Sequence, residues 1–209
     1  MQILVIAATA AEIEPLTISN SQVDVLITGV GVPSTMYHLQ KRIQQVDYDC
    51  IIQAGIAGSF NSDIELGKVL MVQQDCFADV GMEEKEIYTP VFNSGFADKD
   101  EFPFTNGWLV NSNKILLKTS LQKVKALTVN KVSDSELQKH QFISTFNAAV
   151  ESMEGAALHY ICLQEKIPFL QMRAISNYVG ERDKTKWKIK EAIKNMNTAL
   201  QILINDLTN

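Results

Sequence analysis

Residues 148–176, AAVESMEGAALHYICLQEKIPFLQMRAIS, carry the pattern that decides the fold. The apolar run AAVESM predicts a strand, EGAALHYICLQEK directly after it predicts a helix, and PFLQMRAIS predicts a second strand. Apolar residues at consecutive strand positions are typical of strands that are covered on both faces. This strand–helix–strand unit therefore predicts an α/β protein with a mostly parallel sheet flanked by helices.

The same alternation extends over the rest of the chain. Further strands are predicted at QILVIAA (2–8), VDVLITG (23–29), DCIIQAG (49–55), KVLMVQQDCF (68–77) and KALTVNKV (125–132). Proline suits the first turn of a helix, so a helix is predicted from Pro33 to about Gln45. Apolar residues at three- and four-residue steps from Trp187 onward predict a last helix whose stripe packs in the core. The 209 residues are expected to form a single domain, 1–209.

One segment, VFNSGFADKDEFPFTNGW (91–108), is less regular than the rest. It holds four phenylalanines and one tryptophan in a composition typical of a loop. Exposed aromatic residues on a long loop indicate either a lid or a contact with another subunit. Both interpretations are open from the sequence.

Composition excludes several classes of protein. The net charge of −5 arises from mixed signs, which argues against nucleic acid and anionic membranes as partners. The N-terminus lacks the basic region of a signal peptide, and no stretch approaches the roughly 18 apolar residues of a membrane span. The three cysteines and three histidines are scattered, so we expect a reduced cytoplasmic protein with no metal site and no cofactor.

Small and polar residues follow several predicted strands. Ligands of parallel sheets gather at the carboxyl ends of the strands, and glycines there allow a close approach to the backbone. The side chains of interest are two carboxylates, Glu12 and Glu154, and the carboxamide of Asn177. The glycine-containing ends are TGVG (28–31) and AGIAGS (54–59).

Each of these features has a simpler explanation beside the functional one. GVGVPS (29–34) resembles part of a dinucleotide-binding fingerprint but lacks its third glycine, so a tight turn explains it at least as well. A solvated glutamate in the first turn of a helix explains Glu12 taken alone. Glu154 lies at a strand–helix junction where a buried carboxylate needs partners, either sugar hydroxyls or an ion pair with Arg173. Residues 180–187 are explained equally by a helix capped by Asp183.

Taken together, five motifs resemble the purine nucleosidase and nucleoside phosphorylase family in order and spacing. They are AATAAEIEPL (7–16), TGVG (28–31), AGIAGS (54–59), VESMEGAALHYIC (150–162) and PFLQMRAISNYVGERDKTKW (168–187), which span nearly the whole chain. The resemblance implies an α/β fold with a central mixed sheet that partly closes into a barrel flanked by helices. It also implies a homodimer or higher homo-oligomer that acts on a small-molecule nucleoside.

The resemblance assigns roles to individual residues. Glu12 matches the glutamate that orients or deprotonates an attacking water. Met153 and Glu154 match the pair that packs beneath the ribose and binds its hydroxyls, and Ser176 and Asn177 match the serine and the purine-N7 residue. The residues expected to form the pocket backbone are Ala8, Gly55, Ile56, Ala57 and Gly58.

This chain departs from the family at the aromatic residue that stacks on the base. The matching position is Lys131–Val132, where no aromatic stands, so Val132 is expected beside the purine. Three phenylalanines are candidates for the stacking ring: Phe77, Phe142 and Phe146.

Charge distinguishes hydrolysis from phosphorolysis. Phosphorylases of the family bind phosphate with arginines near the N-terminal strands, but here no arginine precedes Arg42, which is mid-helix. A carboxylate at Glu12 would repel phosphate, whereas beside a water it acts as a general base. The sequence therefore favours an N-ribosyl hydrolase.

The leaving base is indicated by Asn177, because family members that act on adenine carry aspartate there. A carboxamide donates to O6 of hypoxanthine and accepts from N7–H once that nitrogen is protonated. SNYVGERD and the tryptophan after it resemble the futalosine hydrolases, which release hypoxanthine from futalosine in menaquinone biosynthesis. Arg182 is a candidate contact for the tail of that substrate. The alternatives are a methylthioadenosine/S-adenosylhomocysteine or aminodeoxyfutalosine nucleosidase, and a non-catalytic nucleoside-binding module.

Overall fold

Within residues 1–14 and 22–208, which the computed structural model describes, nine strands form one mixed sheet and two more form a separate hairpin. The strands are β1 (Ile3–Ala7), β2 (Val23–Ile27), β3 (Cys50–Ser59), β4 (Val69–Asp75), β5 (Gly81–Glu84), β6 (Ile87–Pro90), β7 (Phe104–Thr105), β8 (Trp108–Val110), β9 (Lys123–Thr128), β10 (Val150–Ser152) and β11 (Phe169–Tyr178). The helices are α1 (Ala10–Ile13), α2 (Val32–Ile43), α3 (Glu136–Phe146), α4 (Gly155–Gln164) and α5 (Ile189–Thr208).

Five of the strands close into a barrel. β3 pairs with both β10 and β11, β9 lies between β10 and β4, and β4 pairs in turn with β11. β1 and β2 extend the sheet from β3 in parallel register, while β8 and β7 extend it from β4. The predicted fold class, a central mixed sheet that partly closes into a barrel flanked by helices, is confirmed.

Helices cover both faces of β1 and β3 because successive strand residues point to opposite sides. Ile3 and Val5 pack with the stripe of α5 that includes Met196. Leu4 and Ile6 pack on the other side against α2 and α4. Each fully buried side chain of this size stabilises the fold by about 1.5–3 kcal/mol, so the sheet is held from both faces.

All seven predicted strands are present, but several elements were not predicted. The β5–β6 hairpin, β7, β8 and α3 lie in stretches without a clear apolar period. The segment 91–108 holds a short 3₁₀ turn, β7 and the start of β8, and the rings of Phe92 and Phe104 lie 4.9 Å apart. The rest of the segment is turn and irregular structure, so the predicted loop is confirmed except at these short elements.

The end of the chain also differs from prediction. Asp183 caps a 3₁₀ turn by accepting from Thr185, and α5 begins only at Ile189, so Trp187 is outside the helix. Pro15 and Leu16 of the first family motif lie outside the described residues. None of the helices in the described part of the chain has the length and apolar character needed to cross a membrane.

Candidate active site

A cavity of about 370 Å³ opens beyond the end of β1, over the second half of β3, and along β10 and the end of β11. Predicted site residues that line it are Ala8, Glu12, Ile56, Ala57, Gly58, Val132, Met153, Glu154, Ser176, Asn177 and Arg182. Of the predicted set, only Gly55 is not on the wall. The structure brings these residues to one cavity, and their chemical roles stay predictions.

The carboxylate of Glu12 is held in a fixed position. Its Oε2 accepts from the backbone and hydroxyl of Thr9 at 3.0 and 3.1 Å, and its Oε1 accepts from the amide of Ile56 at 3.1 Å. Glu12 is 8% exposed, so the interpretation as a solvated glutamate was wrong. A carboxylate offers about four lone-pair positions, so these three bonds leave room for about one more donor, such as a water.

Glu154 forms a buried ion pair with Arg173. Arg173 Nη1 lies 3.7 Å from Glu154 Oε2, and the two side chains are 2% and 7% exposed. The other carboxylate oxygen accepts from the amide of Gly31 at 3.0 Å. Gly31 has a φ of +87°, which glycine adopts without strain, so the GVG turn serves to present this donor. The sequence had offered an ion pair with Arg173 and a ligand-binding position as alternatives for Glu154. In the structure Glu154 both forms the ion pair and lies on the cavity wall.

Gly55 lies behind the wall, between Arg173 and Glu12. A Cβ built on Gly55 would lie 2.4 Å from Arg173 Nη1 and 2.9 Å from Glu12 Oε1. A real side chain cannot occupy that position, so glycine is required there for the guanidinium and the carboxylate to approach each other.

Asn177 follows a β-bulge in β11. Ile175 is paired with Ala57 and Asn177 with Gly58, so Ser176 is the extra residue. Ser176 Oγ donates to Asn177 Oδ1 at 2.8 Å, and Asn177 Nδ2 donates to the carbonyl of Tyr178 at 3.0 Å. Bulges redirect side chains, and these two bonds fix the amide with one N–H and one oxygen lone pair free for a ligand.

A buried polar network fixes the first turn of α4, which follows Glu154. Thr128 Oγ1 accepts from the amide of Ala156 at 2.7 Å and donates to Asp75 Oδ1 at 2.9 Å. Gln171 donates to the other Asp75 oxygen at 3.0 Å. Burial raises the pKa of Asp75 to about 6 against the opposing effect of these donors. The network anchors the element that positions Glu154.

Among the residues of the cavity wall that sequence reasoning missed, Glu151 and Trp187 bear most directly on its chemistry. Glu151 is 8% exposed, and burial, with the neighbouring charge of Asp79, raises its pKa to about 7 while Arg182 opposes the shift. An acid inside the apolar strand AAVESM was the available signal. Trp187 was assigned to a core stripe, but its ring lies on the cavity wall with the Arg182 guanidinium carbon 6.0 Å from the ring centroid.

The three phenylalanines proposed as stacking rings do not line the cavity. Phe142 and Phe146 pack against each other in a core cluster, and Phe77 packs against Tyr160. The prediction of a stacking ring from α3 was wrong, because Phe142 and Phe146 face the protein core and not the cavity. Trp187 is the aromatic residue that the described cavity wall provides.

A family model described as Phosphorylase superfamily matches residues 10–208. The futalosine hydrolase of Thermus thermophilus is 26% identical over 182 residues, which cover 86% of this chain and 80% of that protein. The 5'-methylthioadenosine/S-adenosylhomocysteine nucleosidase of Buchnera aphidicola subsp. Schizaphis graminum is 27% identical over 168 residues, 77% of this chain and 68% of that protein.

A solved structure shows the same fold. The crystal structure of a Helicobacter pylori MTAN mutant with 5'-methylthioadenosine in its active site is 17% identical, covers 98% of both chains and has a TM-score of 0.80. At this identity the likeness concerns the fold alone.

The ion pair predicts a large and specific effect on stability. Arg173→Met keeps much of the side-chain volume but leaves Glu154 as a buried charge without its cation. We expect the free energy of unfolding, measured by urea denaturation, to fall by about 3–5 kcal/mol. Adding Glu154→Gln to the same chain should recover part of the loss, because neither residue of the former pair is then charged.

Arg42→Met provides the matched control. Arg42 lies 3.8 Å from Asp24, and the two side chains are 31% and 39% exposed. Breaking this partly exposed pair should cost less than about 1 kcal/mol. Equal losses in the two single variants would show that the Arg173–Glu154 pair has no special structural weight.

Proposed function

The chain belongs to the phosphorylase superfamily, and we propose that it hydrolyses the N-glycosidic bond of a purine nucleoside, with futalosine as substrate and hypoxanthine and dehypoxanthine futalosine as products. The observation that carries this proposal is the carboxylate of Glu12. It is fixed by three hydrogen bonds at the cavity wall, with about one acceptor position free for a water.

The charge of the cavity supports water rather than phosphate as the nucleophile. Four carboxylates line the cavity: Glu12, Glu151, Glu154 and Glu181. Among the described lining residues Arg182 is the only basic one, and it is exposed at the rim. Arg173 is behind the wall and already paired with Glu154. A phosphate dianion would meet repulsion here, whereas a water can give its proton to a carboxylate.

The proposed step follows from these positions. Glu12 accepts a proton from the water as its oxygen bonds to C1′, and the C1′–N9 bond breaks with its electron pair leaving on the purine. The sugar passes through an oxocarbenium-like state, which a nearby carboxylate stabilises. Glu154 and Met153 hold the ribose, and Asn177 with Ser176 binds the five-membered ring of the base. The departing base takes a proton from solvent at N7, and Glu12 afterwards returns its proton to solvent, so the enzyme is restored.

Two features favour futalosine over the other nucleosides. Asn177 offers one N–H to O6 and one lone pair to N7–H, which suits a 6-oxopurine. The cavity also continues past the site to Arg182 and Trp187, where a planar, anionic tail would meet a cation and an aromatic face. The second candidate is hydrolysis of methylthioadenosine or S-adenosylhomocysteine, favoured by the similarity to the Buchnera nucleosidase.

A substrate panel tests the proposal directly. Purified protein is incubated with futalosine, aminodeoxyfutalosine, inosine and methylthioadenosine, and the released base is quantified by chromatography. We expect hypoxanthine from futalosine at the highest kcat/KM, with no requirement for added phosphate. Strict dependence on phosphate excludes hydrolysis, and tight binding without any release indicates a nucleoside-binding module.

Glu12→Gln tests the general base. Glutamine keeps the size of the side chain and can still accept from Thr9 or Ile56, but it cannot take a proton from water. We expect kcat to fall by about 10²- to 10⁴-fold, the range of general-base contributions, with little change in substrate Kd. Calorimetry gives the affinity and base release gives kcat. A near-normal kcat would remove Glu12 from the mechanism.

Asn177→Asp tests recognition of the base. A protonated aspartic acid donates to N7 of adenine and accepts from its amino group, so the variant should shift the ratio of kcat/KM toward aminodeoxyfutalosine over futalosine. Both nucleosides are measured on both proteins. Ratios that are the same in the two proteins would contradict the assigned role.

A further inference from the structure

Glu151 is the one carboxylate of the described cavity wall that has no hydrogen bond or ion pair. Glu12 is bonded to Thr9 and Ile56, and Glu154 is bonded to Gly31 and Arg173. Glu181 is paired with Lys186 at 2.6 Å. Glu151 is as buried as Glu12, and yet no described residue donates to it. A carboxylate placed in this way costs free energy unless a ligand provides the donor.

The register of the barrel places Glu151 opposite Asn177. Gly58 of β3 is paired with Asn177 of β11 on one side and with Glu151 of β10 on the other. Two strand spacings separate Glu151 and Asn177, about 10 Å between their Cα atoms. Both side chains line the cavity, and Gly58 itself adds no side chain between them. A flat ring above Gly58 would present one edge to each of them.

We propose that Glu151 is a specificity-determining residue that accepts a hydrogen bond from N1–H of a 6-oxopurine, while Asn177 binds the N7 and O6 side of the same base. The inference rests on the proposed function of the site and narrows its substrate class. In this interpretation Glu151 and Asn177 together, and not Asn177 alone, determine which base the site binds.

The chemistry of the two base classes gives the pair its selectivity. N1 of a 6-oxopurine carries a proton and donates, whereas N1 of a 6-aminopurine is an acceptor. An ionised carboxylate only accepts, so it attracts the first and repels the second. A pKa of about 7 leaves Glu151 substantially ionised at neutral pH and above, before any ligand binds. Loss of a hydrogen bond to a charged group corresponds to about a 10- to 100-fold change in affinity.

The test compares free-base binding in the wild type and in Glu151→Gln. Hypoxanthine and adenine are titrated by calorimetry, which requires no turnover. We expect the variant to bind hypoxanthine about 10- to 100-fold more weakly, while adenine binding is unchanged or stronger because the glutamine amide can donate to its N1. Equal weakening of both bases, or no change in either, would overturn the inference.

Glu165→Gln is the matched control, because Glu165 is an exposed glutamate at the end of α4, away from the cavity. It should leave both affinities unchanged. Thermal unfolding of both variants verifies that they are folded.

The wild type supplies an independent measurement. Hypoxanthine affinity should rise between pH 6 and 8 as Glu151 ionises, and adenine affinity should not. Glu151 faces Asp79 after β4 and Arg182 after β11, with Glu12 and Glu154 across the same cavity. Glu151→Gln should abolish the rise, which separates Glu151 from those groups. A wild-type profile that is flat, or a rise that persists in the variant, contradicts the assignment.

The outcome also distinguishes this inference from the proposed function. If the wild type releases no base from any nucleoside but prefers hypoxanthine through Glu151, the hydrolase proposal fails and the inference stands. If the wild type hydrolyses futalosine and Glu151→Gln leaves the ratio of kcat/KM for futalosine and aminodeoxyfutalosine unaltered, the inference fails and the hydrolase proposal stands.

Discussion

The buried ion pair between Arg173 and Glu154 is the interaction on which the site depends. Arg173 is on β11, the strand that closes the barrel by pairing with both β3 and β4. The ion pair connects this strand to Glu154, the residue that precedes α4. Arg173 also donates to Gln53 of β3 at 2.8 Å and approaches Glu12 over the bare backbone of Gly55. Because a buried cation needs an anionic partner, this one guanidinium fixes the position of Glu154.

Close backbone approach is the second constraint. Gly55 makes room for Arg173 and Glu12, and Gly58 adds no side chain of its own between Glu151 and Asn177. At Gly58 a Cβ would lie 3.1 Å from Val179 and 3.3 Å from Asn177 Nδ2, which is tighter than ordinary contact. The motif AGIAGS thus has a separate steric reason for each glycine, and the bulge at Ser176 turns Asn177 over the second one.

The sequence predicted the strands and the cavity residues well because both leave local signals. Strands buried on both faces appear as apolar runs, and small residues at their ends mark a ligand site. Trp187, Glu151 and the aromatic residues of α3 were missed or misplaced for a different reason. Whether an aromatic ring faces a cavity or a core depends on where α3 and the segment before α5 pack, and this is a long-range property. The pairing of Glu151 with Gly58 likewise follows from barrel closure, which joins strands far apart in the chain.

The charge distribution of the cavity joins these constraints to the proposed chemistry. Cleavage of an N-glycosidic bond develops positive charge on the ribose and negative charge on the departing base. Glu12 and Glu154 are held where carboxylates would face the sugar, and their own hydrogen bonds prevent them from turning away as the charge develops. The base side needs donors for the departing ring, and Asn177 retains a free N–H there. The same arrangement disfavours phosphate as the nucleophile, because a phosphate dianion beside these carboxylates would be repelled.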